Sequence, residues 1–324
     1  MTPEYRIEAD GRDISRLINH RFVSLSVTDE VADQADKLSL SLADPENSLS
    51  VPPTGAALRV WLGYRGKDLH YRGSFVVDET SISGPGTNIA ITARAADMRG
   101  NIKAPRDQTW HESSLAEIAK TIAARHNLKL VLGPGLDQIT YPHQDQTSES
   151  DLNFLYRLGA EHGIAIKIAN QQLRLARRAE AVTVESEELP AIQLPRSAIT
   201  TWQHKIRERQ KYNSVTASWQ DHKTAETKQV KVGGPQPTLH LRRMFPNEDA
   251  ANAAAAAALQ SSSRDQHSIT LNTVGRGDLY AGAPLELSAI HPGIDGEWVA
   301  KRVVHSLSNS GYTCSIEAEL GTTA

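Results

Sequence analysis

The chain carries a single cysteine, Cys314, among 324 residues. No intrachain disulfide can form, so the fold has to rest on buried apolar area, for which this length suffices for two or three domains. No apolar run approaches the roughly 20 residues that a bilayer-spanning helix needs, so no membrane span is expected. The opening residues, MTPEYRIEADGRD, lack the basic-then-apolar start of a secretion signal, and folding is expected to begin in the cytoplasm. An excess of one charge is also missing. A formal net charge of −3, with 23% charged and 39% hydrophobic residues, is that of a globular chain with no broad attraction to nucleic acid, and stable nucleic-acid binding is not expected.

The motifs of common chemistries are absent as well. The glycine-rich stretches GPGTN and GPGLD surround a proline and do not open a helix, so they read as turns rather than phosphate loops. HESS at His111 lacks the second histidine of HExxH, and no Cys–His cluster suits zinc. Asp78 and Glu79 are adjacent on a strand, which predicts opposite faces rather than two carboxylates flanking one sugar bond. Glu187 and Glu188 fall in a charged connector. The RGD of GRGDLYAG sits between two strand candidates and reads as a turn. Cys314 alternates within a strand and reads as a buried structural thiol. No catalytic, cofactor-binding or metal-binding residue is expected.

What the sequence does contain is strand punctuation. Asp10-Gly11 and Arg65-Gly66 fit tight turns, and KLSLSLAD, LRVWLGY and SFVVDET alternate or are β-rich. Residues 1–104 therefore read as a β-barrel domain. From there the pattern changes. Ser114 with Glu117 makes a capping box ahead of Leu115, Ile118, Ala119 and Ile122, ending near Asn127; the strand LKLVL then turns at Gly133-Pro134-Gly135. In TSESDLNFLYRLGAEHGIAIKI, Ser148 and Asp151 suggest a second capping box, followed by a buried stripe of Leu152, Leu155, Tyr156 and Gly159 and a left-handed stop at Gly163. Glu161 and His162 then lie in the last turn, where the helix dipole favours a histidine. Ile164, Ile166 and Ile168 begin a hairpin whose other strand holds Leu173 and Leu175. Residues 105–180 read as an inserted α+β domain, closed by ARRAEAVTVESEELP as an exposed connector.

Strands return after Pro195, so residues 181–324 read as a second barrel domain. NEDAANAAAAAALQSSSR reads as a short Ala-rich helix lying across one barrel end. In QHKIRERQK, Lys205, Arg207 and Arg209 share one face of a strand, a stripe that could line a nucleic-acid channel, meet an acidic partner or simply face solvent.

An internal repeat links the two outer segments. GAALRVWLGY from Gly55 matches GAPLELSAIH from Gly282; GSFVVDETSIS from Gly73 matches GEWVAKRVVHSLS from Gly296; GTNIAITARA from Gly86 matches GYTCSIEAEL from Gly311. The order is kept and the offsets, 227, 223 and 225, are nearly constant. The expected fold class is mainly β with an α+β insertion: two similar antiparallel barrels flanking a small α+β domain.

The runs LSLADP, PPTGAALRVWLGY and GSFVVDE, the segment YPHQDQTSESDLNFLYRLGAEHGIAIKI, and the closing GDLYAG with DGEWVAKRVVHSLSNSGYTCSIEAEL resemble the phage late control protein D family over nearly the whole chain. That family comprises tail hub proteins of contractile-tailed phages and phage-tail-like particles, and is similar to the N-terminal part of type VI secretion spike proteins. The resemblance implies a non-catalytic baseplate hub in a virion tail or phage-tail-like particle, made in the bacterial cytoplasm. It implies a homotrimer whose six barrels join a hexameric tail tube to a trimeric spike, here a separate protein, with the tape-measure protein as a further contact. Two alternatives are a tail-associated peptidoglycan hydrolase using Glu149 or Glu161, and a cell-wall-binding module in the central domain.

Overall fold

The computed structural model describes the chain except residues 32–34, 51, 97–100, 170, 178–189, 207–211, 222–223, 225, 265–266 and 322–324. The first stretch holds β1 (Pro3–Ala9), β2 (Arg12–Asp13), α1 (Ser15–Ile18), β3 (Phe22–Glu30), β4 (Lys37–Ala43), β5 (Ala57–Tyr64), β6 (His70–Ser83) and β7 (Asn88–Ala95). The middle holds β8 (Pro105–Ser114), α2 (Leu115–Arg125), β9 (Lys129–Leu132), β10 (Thr140–Ser150), α3 (Asp151–Glu161), β11 (Ile164–Ala169) and β12 (Gln172–Arg177). Then come β13 (Ile192–Pro195), β14 (Ile199–Ile206), β15 (Ser214–Asp221), β16 (Glu226–Gly233), β17 (Thr238–Phe245), α4 (Glu248–Arg264), β18 (His267–Val274), β19 (Pro284–Ser288), β20 (Gly296–Ser308) and β21 (Gly311–Leu320).

The mainly β architecture with an α+β insertion is as the sequence indicates, and the two repeated units prove to be continuous. One 13-stranded sheet runs β14-β18-β21-β20-β3-β4-β7-β6-β5-β1-β2, with β13 and β19 attached through β20. The join is β20 against β3, antiparallel from Arg302↔Glu30 to Ser308↔Ser24. Alternation places one residue in two on a common core that spans both units: Leu25, Val27, Leu38, Leu40, Leu58, Val60, Phe75 and Ile91 from the first, and Ile269, Leu271, Leu285, Trp298, Val303 and Ile316 from the second. Each such side chain contributes about 1.5–3 kcal/mol by leaving water. The opposite face is polar, with Ser24, Ser26, Ser39, Ser41, Ser306 and Ser315.

The middle segment has its own core, built on α2, α3 and the sheet β11-β12-β9. The capping box at Ser114 is present, with Glu117 N–H donating to Ser114 Oγ and Ser114 N–H donating to Glu117 Oε2 at 2.8 Å. The second helix starts later than expected. Ser150, not Ser148, accepts the capping bond, from Asn153 N–H at 3.2 Å. Ser148 lies instead where β10 leaves register with β8, and its N–H donates to Asp107 of β8. The buried stripe of α3 is Leu152, Phe154, Leu155, Leu158 and Gly159, with Tyr156 half-buried. At Gly159 a Cβ would lie 2.8 Å from Ile166 and 2.9 Å from the Ile164 carbonyl, so glycine lets α3 approach β11. Gly163 is left-handed, and the β11–β12 hairpin pairs as expected.

A third core was not anticipated. The Ala-rich segment does form a helix, α4, but it covers a separate three-stranded sheet, β16-β15-β17, rather than a barrel end. Ala251, Ala254 and Ala255 pack with Val215, Ala217, Val230 and Phe245. This small layer occupies the connection between β14 and β18, residues 207–266, whereas the equivalent connection between β3 and β4 is residues 31–36.

Candidate assembly surface

The repeat builds a frame of paired strands. β3, β4, β7, β6 and β5 correspond to β14, β18, β21, β20 and β19, and the pairings agree residue by residue. Lys37↔Arg94 and Leu42↔Ile89 in the first unit correspond to Ser268↔Glu319 and Thr273↔Cys314 in the second. The irregularities agree too: β3 breaks register between Phe22 and Ser24 as β14 does between Ile199 and Thr201, and β6 between Val77 and Glu79 as β20 does between Ala300 and Arg302. Bulges fix register and re-aim side chains, so shared bulges are strong evidence of one design used twice. The turn bonds match as well. Gly55 N–H donates to the Val77 carbonyl at 2.8 Å, and Gly282 N–H to the Ala300 carbonyl at 2.7 Å. Gly73 and Gly296, which open the long strands, have φ of 134° and 132°.

Inside the chain the seam between the units is closed by continuous strand pairing. Val303, Leu307, Leu25 and Val27 are buried across it. His305 is the polar exception. Arg72 Nη1 lies 3.1 Å from its Nε2, and its Nδ1 lies 2.8 Å from the Tyr312 hydroxyl and 3.2 Å from Cys314 Sγ. Burial, with the Arg72 charge beside it, pushes this imidazole down to about 3, so it stays neutral. Cys314 is fully buried as expected, and burial pushes its thiol up.

Two flanks of the frame have no strand beside them among the described residues. β14 pairs with β18 only, and the Glu79–Ser83 half of β6 pairs with β7 only. In the second unit the matching half of β20 is covered by β3. Ile82 is 61% exposed, Trp202 38% and Ile206 70%, and all three lie on these two flanks.

A buried junction ties the insertion to both units. The Lys167 ammonium, on β11, meets Asp29 of β3, donates to the Glu30 carbonyl at 2.8 Å and lies 3.5 Å from Asp36. Asp29 in turn accepts from Ala281 N–H of the second unit at 2.8 Å, and Asp36 accepts from Glu30 N–H at 3.0 Å. Burial pushes Asp36 up to about 6 despite Lys167, with Asp29 adding to the rise. A second buried network surrounds Asp151, which accepts from Arg125 Nη1 at 2.9 Å and Gln146 Nε2 at 2.9 Å, and lies 2.7 Å from His126 Nε2. Burial alone would raise this carboxyl, but the bonds from Gln146, His126 and Arg125 outweigh it and hold it low.

The groups singled out from sequence do not converge. Glu161 ends α3 as expected, where it pairs with Arg243 of β17; burial raises its carboxyl and Arg243 opposes the rise. Glu149 is held by Arg157 at 3.0 Å. His162 stacks edge-on against Tyr141, and burial with nearby Arg177 lowers it, so it does not offer the dipole a charge. Asp78 and Glu79 fall at the bulge, where alternation breaks, and both are exposed, Asp78 pairing with Arg94 at 2.8 Å. In the RGD turn Arg276 and Asp278 pair with each other at 2.6 Å. His111 is exposed beside His143, at 3.1 Å. Among the described residues no group of three or more His, Cys, Asp or Glu could hold a metal, and no helix is long and apolar enough to cross a membrane. Lys205 lies exposed on β14, whereas Arg207, Arg209, Glu187 and Glu188 are outside the described residues.

Comparison with known proteins gives a consistent answer. The profile of the phage tail baseplate hub (GPD) family matches residues 51–311. The chain is 30% identical to the probable baseplate hub protein of Escherichia phage P2, over 99% of this chain and 94% of that protein. Its fold is similar to the 43 kDa tail protein of prophage MuSo2 from Shewanella oneidensis, with a TM-score of 0.75, 14% identity and 99% of each chain covered. It is also similar, at a TM-score of 0.59 and 11% identity, to the E. coli c3393 protein, over all of this chain and 77% of that one. The latter is described as a component of the type VI secretion system with structural similarity to the T4 bacteriophage tail proteins gp27 and gp5.

Proposed function

Because the chain belongs to the phage tail baseplate hub family, we propose that three copies form the hub as a ring of six nearly equivalent units, joining a hexameric tail tube to a trimeric spike. The supporting observation is the frame itself: one chain carries two units that agree in strand order, register and bulges. Three such chains present six similar units to a sixfold partner while remaining threefold toward another. In that ring the serine-rich face of the sheet lines the central channel. The work is structural, not catalytic, since Glu149 and Glu161 serve as ion-pair partners. The tape-measure protein is a further partner, reached through the channel. The test is to purify tail particles made without this protein. Tubes lacking a centred spike are expected, and particles that still carry one would overturn the reading.

A further inference from the structure

We infer that the open half of β6 receives β14 of a second copy, antiparallel, in the register Thr80↔Ile206, Ser81↔Lys205, Ile82↔His204 and Ser83↔Gln203. This rests on the ring reading above and names its subunit contact.

The register is carried over from the seam visible inside the chain. There Val303↔Asp29, Val304↔Thr28, His305↔Val27 and Ser306↔Ser26 pair β20 with β3. The shared pairings and bulges fix the counterpart of each: Val303 through Ser306 correspond to Thr80 through Ser83, and Ser26 through Asp29 to Gln203 through Ile206. β14 and β6 are thus the same two edges as β3 and β20, but they stand far apart in the strand order of one chain and do not meet there. A β6-to-β14 contact is head-to-tail, so it propagates around a ring instead of ending in a twofold dimer.

The side chains on these flanks suit the contact. Ile82 stands where His305 is buried, and Trp202 and Ile206 lie on the side of β14 that corresponds to buried Leu25 and Val27 on β3. In the inferred register Ile82 is opposite His204 and diagonal to Trp202 and Ile206, within reach for cross-strand contact. On the polar face Lys205 is opposite Ser81 and diagonal to Glu79, which puts opposite charges beside each other, as Arg302 and Glu30 are in the seam, at 3.1 Å. An exposed edge bearing Trp and Ile is an aggregation hazard unless something covers it. A second copy of the chain offers the strand that fits.

Cysteine pairs test the register. In the full-length chain, Ser81→Cys with Lys205→Cys is expected to give disulfide-linked dimers and trimers on oxidation. The offset pair Ser83→Cys with Lys205→Cys, and either single variant, should link at least tenfold less, because diagonal neighbours exceed the reach of a disulfide. Native Cys314 is buried and does not compete. Light scattering on unoxidised samples separates this inference from the one beneath it. A three-chain mass with linkage only in the offset pair, or in neither, overturns the register and leaves the ring standing. A single-chain mass at every concentration, without linkage, overturns both. Exposed Ile82→Glu should lower the assembled mass to one chain while leaving the far-UV circular dichroism of the folded chain unchanged; a three-chain mass in that variant also counts against the contact.

Discussion

Replacing Asp36 by Asn should make the protein more stable at neutral pH, although Asp36 sits beside a lysine. Asp36 is mostly buried, and one ammonium, Lys167, serves two carboxylates there. Its pKa is pushed from 3.8 to about 6, with burial the main cause. The native state therefore holds that proton more tightly than the unfolded chain does. Stability falls as pH rises from about 4 to about 6, and the loss is complete at pH 7. A shift of that size corresponds to about 3 kcal/mol, an upper bound because Asp36 shares its buried site with other charges. Asparagine keeps the oxygen that accepts from Glu30 N–H, and Lys167 keeps Asp29 and the Glu30 carbonyl. We expect Asp36→Asn to gain roughly 1–3 kcal/mol in urea unfolding at pH 7, with little or no gain at pH 4.5. Asp29→Asn, which weakens the bond to Ala281 and leaves Lys167 its weaker partner, should lose stability at both. Destabilisation by Asp36→Asn at pH 7 would show that attraction to Lys167 outweighs burial and would refute the argument.

The network at Asp151 should behave in the opposite sense. Asp151→Asn leaves Arg125 and Arg106 without a counter-charge in a buried site, for an expected loss of about 3–5 kcal/mol, read by urea unfolding and by hydrogen exchange in α2 and α3. Because its carboxyl is held low, the wild-type contribution is full above about pH 4 and drains away only as pH falls below that. The equivalence of the units makes a third prediction: Gly73→Ala and Gly296→Ala impose the same backbone strain and should each cost about 1–3 kcal/mol by thermal or urea unfolding, Gly73 slightly more because its Cβ would lie 3.2 Å from Phe75. A cost at only one of the two would show that the units are not equivalent there.

How far the fold can be read from sequence depends on how local each determinant is. The capping box at Ser114 and Glu117 needs four consecutive residues, and it was legible. Ser148 and Ser150 look interchangeable as caps, and the choice is made by Asp107 on another strand, which captures the Ser148 N–H. Asp151 looks like a helix-start acid and is in fact the centre of a buried cluster assembled from α2 and β10. The repeat was legible because glycines mark strand openings at fixed offsets. The fusion of its halves was not, since β3 and β20 lie far apart in sequence and no local pattern specifies that partner. The open flanks of β6 and β14 left a trace in Ile82, Trp202 and Ile206, apolar residues at polar-looking edges. Their partner is defined only by the β20–β3 seam, which forms between strands distant in sequence. The β15–β17 layer escaped because its parallel pair is closed by distant residues, while the alanines reported only helix.

The connection between β14 and β18 carries a consequence for how such a chain can change. Where the first unit makes the crossing in residues 31–36, the second spends residues 207–266 and returns to the same register. Lengthening a loop tenfold costs only about 2 kcal/mol in closure entropy, at roughly 0.6 per doubling, and this insert brings a core of its own to offset it. The hairpin end is therefore a port, at which a module can be grafted, enlarged or exchanged between lineages without disturbing the strands on either side. The matching connection on the first unit is six residues long, 31–36.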